Sequence, residues 1–442
     1  MESQSDFSGA RRIPLVGQRP FLRVLETRVH NTGLNLFYLE GAGGIGKTFL
    51  LMTALEEWSV NEFCTARTIV DLYHLDAQSP EGFVRRVLDS FDQVLFPGTR
   101  TLLGKLDEAR QEGNDRQVQE HLRELDNCFV NDINLLSATR PVILALDTLE
   151  VLVYTDEEQV QATVLDIGNW LLHDFLPKIQ GNVIVLMAGR PSVWNQQLDS
   201  LIQQHPHIQT ETFTVSALSE AESKEYLETI IAKYADPDAT ARLQAFSEEH
   251  SAALPLLTQG KPILLSLVAD MVAQGSVLPL VFAEPLEKLR SLEPEKLQEI
   301  VRHALFDCLQ ASPSPVGETL RQLAWLRKGA TPELLARLLR LKTPQGDWDI
   351  TKATQYLDKV RILTFVKARS DDDRTFLHDE LYALFDCYAP PYRSSEEQAS
   401  VYGVIETYYD AQLGFLPSAQ EMLPQVEAQR QQLHLERLHY LL

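Results

Sequence analysis

Residues 40–51 read EGAGGIGKTFLL, between an apolar run and a stretch with helical spacing. Gly41, Gly46, Lys47 and Thr48 satisfy G-x-x-x-x-G-K-[ST] at every fixed position. In such a loop the glycines, here Gly41, Gly43, Gly44 and Gly46 around Ile45, let backbone N–H groups curl around phosphate oxygens. Lys47 is then placed to reach the β- and γ-phosphates, and the Thr48 hydroxyl to ligate Mg²⁺. Leu34–Leu39 (LNLFYL) reads as the buried strand that delivers the chain to the loop. Phe49–Leu55 reads as the helix that leaves it, with the positive end of its dipole toward the anion. By average residue usage, a chance match in a chain this long has odds of about one in a hundred. The stretch therefore sets the expected fold class: an α/β P-loop NTPase domain, a parallel sheet with flanking helices, holding ATP or ADP with Mg²⁺.

A phosphate-bound Mg²⁺ needs a second acidic site. Arg140–Glu150 (RPVILALDTLE) supplies one, with a β-like run Val142–Leu146 and then Asp147 at its C-terminal end. Ligands of open α/β sheets gather at those strand ends. Asp147 suits holding the ion through water, and Glu150, three residues on, suits orienting an attacking water; an ordinary surface glutamate would look the same. Two further strands fit the same sheet. Ala66–Leu72 (ARTIVDL) precedes a helix opening at Ser79-Pro80. Asn182–Ala188 (NVIVLMA) ends at Gly189 and Arg190, where an arginine can sense the γ-phosphate or simply be a solvated strand-end charge. Gln209–Val215 reads as a last strand, and Ser219 with Glu222 as a capping box for the next helix. Thr101–Leu136 reads as a helical hairpin covering the sheet, without chemistry of its own.

The rest of the chain changes grammar. Ser219–Ala283 has helical spacing, and within it Gly260 and Pro262 end one helix and start the next. Next come three helical segments, Glu318–Trp325, Pro332–Leu341 and Thr351–Val360, and two β-like runs, Ile362–Lys367 and Thr375–Leu377. The cluster Ser370-Asp371-Asp372-Asp373 lies between the two runs as a turn. That is the order of a winged helix. His378 and Asp379 open a final helix there, and taken alone His378 is an ordinary capping group. Tyr388–Leu442 is polar and helical, with Tyr402, Tyr408, Tyr409, Leu433 and Leu438 as candidate packing residues.

Composition narrows the class. At 442 residues the expectation is two to four domains, and 44% apolar with 23% charged content is that of a globular protein. The net charge of -22 argues against a general nucleic-acid binder, because phosphate binding rests on Lys and Arg. Cys64, Cys128, Cys308 and Cys387 form no CxxC pair and read as buried free thiols of a reducing cytoplasm. The N-terminus lacks the apolar core of a signal peptide. The strongest membrane candidate, Pro262–Phe282, is interrupted by Asp270, Gln274, Gly275 and Pro279, so a buried helix is expected there and no membrane partner.

Together these pieces resemble the STAND class of signal-transduction ATPases, the bacterial relatives of NACHT and NB-ARC proteins, over residues 13 to 390 or so. Leu15-Val16-Gly17-Gln18-Arg19 is similar to the class's adenine-packing segment, with Arg19 one place late. Asp147-Thr148-Leu149-Glu150 is similar to the NACHT form of the second acidic motif; Thr148 stands where NB-ARC proteins carry a second aspartate. Arg190 matches the class's sensor arginine. Gly260-Lys261-Pro262 resembles the motif whose proline lies against adenine. Leu377-His378-Asp379 resembles the one whose histidine contacts the β-phosphate of ADP and locks the winged helix down.

The resemblance implies a nucleotide-binding domain over residues 1–217, a helical domain over 218–285, a winged helix over 286–390 and C-terminal helices over 391–442 leading toward a repeat array. It implies Lys47, Asp147, Glu150 and Arg190 in slow ATP hydrolysis, Thr48 and Asp147 at Mg²⁺, and Val16, Gly17, Arg19, Phe49, Pro262 and His378 with the loop around the nucleotide. It further implies a cytoplasmic switch, autoinhibited with ADP, that opens and self-assembles when ATP and an unidentified inducer arrive, in defence or transcription control. The rival class is a DNA-binding AAA-type ATPase of the origin-recognition kind, which also joins a P-loop domain to a winged helix. Acid at the wing tip, Asp371 to Asp373, argues against it.

Overall fold

A computed structural model of the chain describes residues 16–28, 31–59, 63–74, 76–152, 167–191, 194–234, 236–276, 279–368, 373–390 and 394–416, with 430, 433, 434, 436–438 and 440. Leu15 and the turn residues Ser370, Asp371 and Asp372 lie outside the described residues. The first half forms one parallel sheet from β1 (Leu34–Glu40), β2 (Cys64–Thr65), β3 (Val70–Asp71), β4 (Val142–Asp147), β5 (Val183–Gly189) and β6 (Gln209–Thr214). Its order is β2-β4-β5-β1-β6, with β3 also on β4. Helices cover both faces, which is why β4 and β5 are apolar at consecutive positions rather than at alternate ones. Phe37, Leu39, Ile143, Ile184 and Leu186 pack on one side against the helices Arg19–Arg28 and Lys47–Glu57. Leu36, Tyr38, Leu144, Val183 and Val185 point to the other, toward the hairpin of helices Pro97–Gln111 and Asp115–Ser137. Each such buried side chain contributes about 1.5–3 kcal/mol of transfer free energy. At the open end of the hairpin, away from its turn, Asp132 accepts hydrogen bonds from both the backbone N–H and the hydroxyl of Thr99.

The expected strand Ala66–Leu72 is two short strands instead. The Arg67 N–H bonds the Ser90 carbonyl at 2.6 Å rather than continuing along β4, so the ladder breaks between β2 and β3. Beyond β6 the apolar core changes hands. From Leu218 to Tyr440, one continuous cluster joins the helices of the middle of the chain, the winged helix and the C-terminal helix Ser395–Phe415. The helix Pro262–Ala273 is buried along almost its whole length inside this cluster, and no helix among the described residues is long and apolar enough to cross a membrane.

The winged helix consists of helices Val316–Leu323, Pro332–Leu338 and Ile350–Arg361 with the antiparallel pair β7 (Val366–Ala368) and β8 (Thr375–Leu377). The expected strand Ile362–Lys367 is largely a turn, because Leu363 and Val366 donate back to Val360 and Leu363 while Thr364 is drawn away to Asp270. Of the C-terminal candidates, Tyr408, Tyr409 and Leu433 are buried; Tyr402 and Leu438 are exposed, Tyr402 with its ring nearly perpendicular to that of Trp325. Of the four free thiols only Cys64 is buried, and Cys387, on the outer side of the helix Asp379–Tyr388, is exposed.

Candidate nucleotide-binding site

β1 ends at Glu40 and the loop Gly41–Gly46 follows at once. Gly44 (φ 68°) and Gly46 (φ 102°) take left-handed conformations that turn the chain straight into the helix Lys47–Glu57. The first N–H groups of that helix have no intrahelical acceptor, so they open toward the loop. Lys47 folds back over it, its ammonium donating to the carbonyls of Gly41 (2.8 Å) and Ala42 (2.9 Å). Burial lowers the Lys47 pKa, and the nearby carboxylates of Glu150, Asp147 and Glu380 oppose that. Ile45 is buried beneath the loop, and Phe49 is half-buried on the first turn of the helix.

Since β5 lies between β1 and β4, the ends of these three strands form one row: the loop, Arg190 and Asp147. Asp147 is buried, and its Oδ2 accepts from the Thr48 hydroxyl at 2.5 Å. Burial first, and the neighbouring Asp71 carboxylate second, push its carboxyl up to about 6. Thr148 sits at φ 64°, its N–H on Asp147 Oδ1 (2.8 Å) and its hydroxyl on Asp71 Oδ1 (2.8 Å). A hard cation fits this corner. Mg²⁺ takes one or two carboxylates with waters and phosphate oxygens, and a dication would relieve the repulsion between Asp147 and Asp71. No set of three metal-ligating side chains occurs among the described residues, so phosphate and water would complete the shell. Glu150 turns to the middle strand. Its Oε2 accepts from the Arg190 N–H (3.1 Å) and its Oε1 lies 3.4 Å from the Arg190 guanidinium, while the Tyr38 hydroxyl donates to the Arg190 carbonyl (2.7 Å).

The second half of the chain reaches the same row. The Ile263 N–H donates to the Gly44 carbonyl at 3.4 Å, and Pro262 Cγ would lie 4.0 Å from a Cβ at Gly46. Gly260, left-handed at φ 62°, accepts the Leu218 N–H on its carbonyl (2.9 Å) and lies so close to Leu218 that a side chain there would clash. At that junction Val16 is buried, a Cβ at Gly17 would lie 3.4 Å from Leu218, and Gln18 donates to the Ser216 carbonyl (2.9 Å). Thus Gly17 and Gly260 both lie against Leu218, one beside its side chain and the other beside its backbone. Arg19 instead opens the helix Arg19–Arg28 with its side chain exposed.

His378 donates its N–H to the Phe365 carbonyl (2.9 Å) and caps the helix Asp379–Tyr388 by accepting the Glu380 N–H on Nδ1 (3.3 Å). An imidazole accepting at Nδ1 carries its proton on Nε2, where it is a donor. Burial, then the charge of Lys367, hold its pKa well below the usual imidazole range; Lys47 and Arg190 add to this, and Asp379 opposes it. The capping role and the position near the phosphate loop coexist in one residue. Four contributors were not foreseen in the sequence: Glu380, Lys261, Lys367 and Asp71. Glu380 lies against Gly43 and pairs Lys261 at 3.5 Å. Lys367, on β7, is near enough to Asp147 and His378 to act on both, opposing the upward shift of Asp147 and adding to the downward shift of His378. The signals were slight: an acid one place after the Leu377-His378-Asp379 motif, and an aspartate near the end of ARTIVDL.

No protein-family model matches the chain, and no curated protein matches its sequence. Among solved structures it is similar to a Walker-type ATPase of Pyrococcus abyssi at 14% identity, over 86% of this chain and 98% of that one, with a TM-score of 0.35. It is also similar to the ORC2 protein of Aeropyrum pernix, solved with ADPNP and ADP (14% identity, 85% and 95% covered, TM-score 0.34). A third is the ORC1 protein of Aeropyrum pernix in complex with DNA (14% identity, 85% and 94% covered, TM-score 0.30).

Proposed function

We propose that the chain is an ATP- and ADP-binding switch of the STAND type, in which the helices after residue 218 and the winged helix act as a lid on the phosphate loop. The observation that carries this reading is the contact of Glu380, from the winged helix, with Gly43, in the loop. The Ile263–Gly44 hydrogen bond supports it from the helical side. In this reading Lys47, the loop backbone and Thr48 would hold the phosphates, and Thr48 and Asp147 would hold Mg²⁺, which would supply charge neutralisation to the phosphates. Glu150 positions the attacking water, Arg190 meets the γ-phosphate, Pro262 and Val16 border the base, and the Nε2–H of His378 donates to the β-phosphate. The proposed divisions are 1–217, 218–285, 286–390 and 391–442.

Energetics require a second input. Taking a two-state protein from mostly closed to mostly open needs about 5.5 kcal/mol of differential binding. A nucleotide at a thousand times its dissociation constant contributes roughly 4.1 kcal/mol to the form it binds, and ADP and ATP compete for one site. An inducer must supply the remainder. Purified protein should therefore retain ADP and turn ATP over slowly. Denaturing it and running the released nucleotide by chromatography tests this; an empty site together with fast turnover would refute the switch.

A second reading is a DNA-binding AAA-type ATPase of the origin-recognition kind. In its favour, the helix Ile350–Arg361 exposes Thr351, Lys352, Gln355 and Lys359. Against it, Asp358 is exposed on the same helix, and the Arg361 guanidinium is taken up by Asp358 and Asp373. A salt-titrated DNA-binding measurement separates the two. Tight binding that falls steeply with salt favours the second reading, and its absence favours the first.

A further inference from the structure

Three cations gather at the phosphate loop: Lys47 within it, Arg190 at the end of β5, and Lys261 just ahead of the helix Pro262–Ala273. Arg190 is paired with Glu150, while Glu380, the second residue of the helix Asp379–Tyr388, brings a carboxylate to this group and pairs Lys261. Its Oε2 lies 3.5 Å from the Lys261 ammonium, with both side chains mostly buried, at 17% and 15% exposed. Its Oε1 stands so close to Gly43 that a Cβ there would run into it, and that same Cβ would lie 3.5 Å from Nη2 of Arg190. At Gly44 a Cβ would touch Glu380 Cγ at 3.0 Å. Glu380 thus rests in the crook of the loop, the place where a loop of this pattern cradles phosphate oxygens.

We propose that Glu380 sets the preference of the closed form for a nucleoside diphosphate: its carboxylate holds the ground that the terminal phosphate of a triphosphate would enter. The inference rests on residues 41–48 being the nucleotide site. A diphosphate ends short of Glu380 and leaves the Lys261 pair intact. A triphosphate sets like charges side by side in a mostly buried place, where they repel most. It must therefore expel Glu380, break the pair with Lys261 and shift the helix that carries both Glu380 and the His378 cap. Opening the lid then follows from a phosphate count. A plain alternative is that Glu380 only favours its helix start, as acids there do. That role needs neither Lys261 nor Gly43, and Asp379, exposed at the same helix start, would share it.

The test titrates N-methylanthraniloyl-ADP and N-methylanthraniloyl-ATP into the full chain and its variants, reading dissociation constants rather than activity. Wild type should favour the diphosphate. Glu380→Gln should tighten triphosphate binding by about tenfold, within ordinary coupling between a ligand and a conformational change, while diphosphate binding moves less than about twofold. Lys261→Met should shift the ratio in the same direction, and Asp379→Asn should leave it unchanged. If wild type and Glu380→Gln show the same ratio while Lys47→Ala abolishes binding, the inference falls and the site stands. If Asp379→Asn shifts the ratio as much as Glu380→Gln, the helix-start explanation replaces it. If wild type binds neither nucleotide, the inference and the site reading fail together.

Discussion

Thr364 gives both its backbone N–H and its hydroxyl to one carboxylate oxygen of Asp270, each at 2.7 Å. The other oxygen of Asp270 accepts from the Tyr234 hydroxyl at 2.5 Å. Asp270 is buried in the helix Pro262–Ala273, while Thr364 follows the third helix of the winged helix, so one carboxylate ties the two regions together. Removing it takes this acceptor from three part-buried donors. We expect Asp270→Ala to cost about 2–4 kcal/mol, measured by denaturant unfolding. A loss under 1 kcal/mol would mean that water replaces the carboxylate and that the tie is incidental.

The Asp147 carboxyl, pushed up to about 6 from the ordinary 3.8, gives a pH signature at the metal corner. Without a metal, the folded chain keeps a proton that the unfolded chain has lost between those values. This group's contribution to stability is therefore present below about pH 4 and disappears as pH rises through about 6. Mg²⁺ competes with the same proton. Mg²⁺-dependent nucleotide binding should weaken as pH falls below about 6, by up to about tenfold per unit, and Asp147→Asn should flatten that dependence. Calorimetric titrations across a pH series decide it; an identical slope in the variant would count against Asp147 as the ligand.

His378 has the opposite sign. Its folded pKa is held below the ordinary 6.5 by burial and by Lys367. The unfolded chain takes up a proton as pH falls through 6.5 and the folded chain does not. Stability is therefore full above that pH and declines below it, by at most about 1.4 kcal/mol per unit. His378→Gln should remove this decline from the unfolding midpoints. In the proposed switch, His378→Ala should also release ADP faster and shift the protein toward larger assemblies in sedimentation. Unchanged ADP retention in that variant would leave His378 as a helix cap and nothing more.

Glu150 accepts the backbone N–H of Arg190, which places its carboxylate beside the row of strand ends instead of out in solvent. If it orients water, Glu150→Gln should lower ATP turnover by about 10²–10⁴-fold while nucleotide affinity stays within about threefold. A parallel loss of affinity would point to a structural task, namely holding Arg190.

Much of the nucleotide domain could be read from the sequence because it is written locally. The loop from Gly41 to Thr48, the strand ending in Asp147 and the strand ending in Arg190 each announce themselves within a dozen residues. The Ser219–Glu222 capping box lay just as close to hand, and both of its hydrogen bonds are formed. What escaped was tertiary. Arg67 finds an acceptor in Ser90 and splits a strand that its own sequence favours. Thr364 finds Asp270, 94 residues away, and undoes another. Glu380 lies outside every motif and Lys261 is the unassigned middle residue of Gly260-Lys261-Pro262; their meaning comes from being neighbours of Gly43 and of each other.

The single apolar core running from Leu218 to Tyr440 has a mechanical consequence. A body with one core is expected to turn as a whole, so in the proposed switch the described residues after Leu218 would form a lever, with the strip from Val215 to Leu218 as its fulcrum. The short arm ends at Glu380 and Ile263 on the loop; the long arm ends where Tyr408, Tyr409 and Tyr440 pack together. In the proposed switch, an inducer pressing on the long arm would need no path of rearranged side chains to reach the nucleotide, because torque about the fulcrum would be enough. Paired probes should show it: two labels on the lever keep their spacing when ADP is exchanged for ATP, and a pair spanning the fulcrum does not.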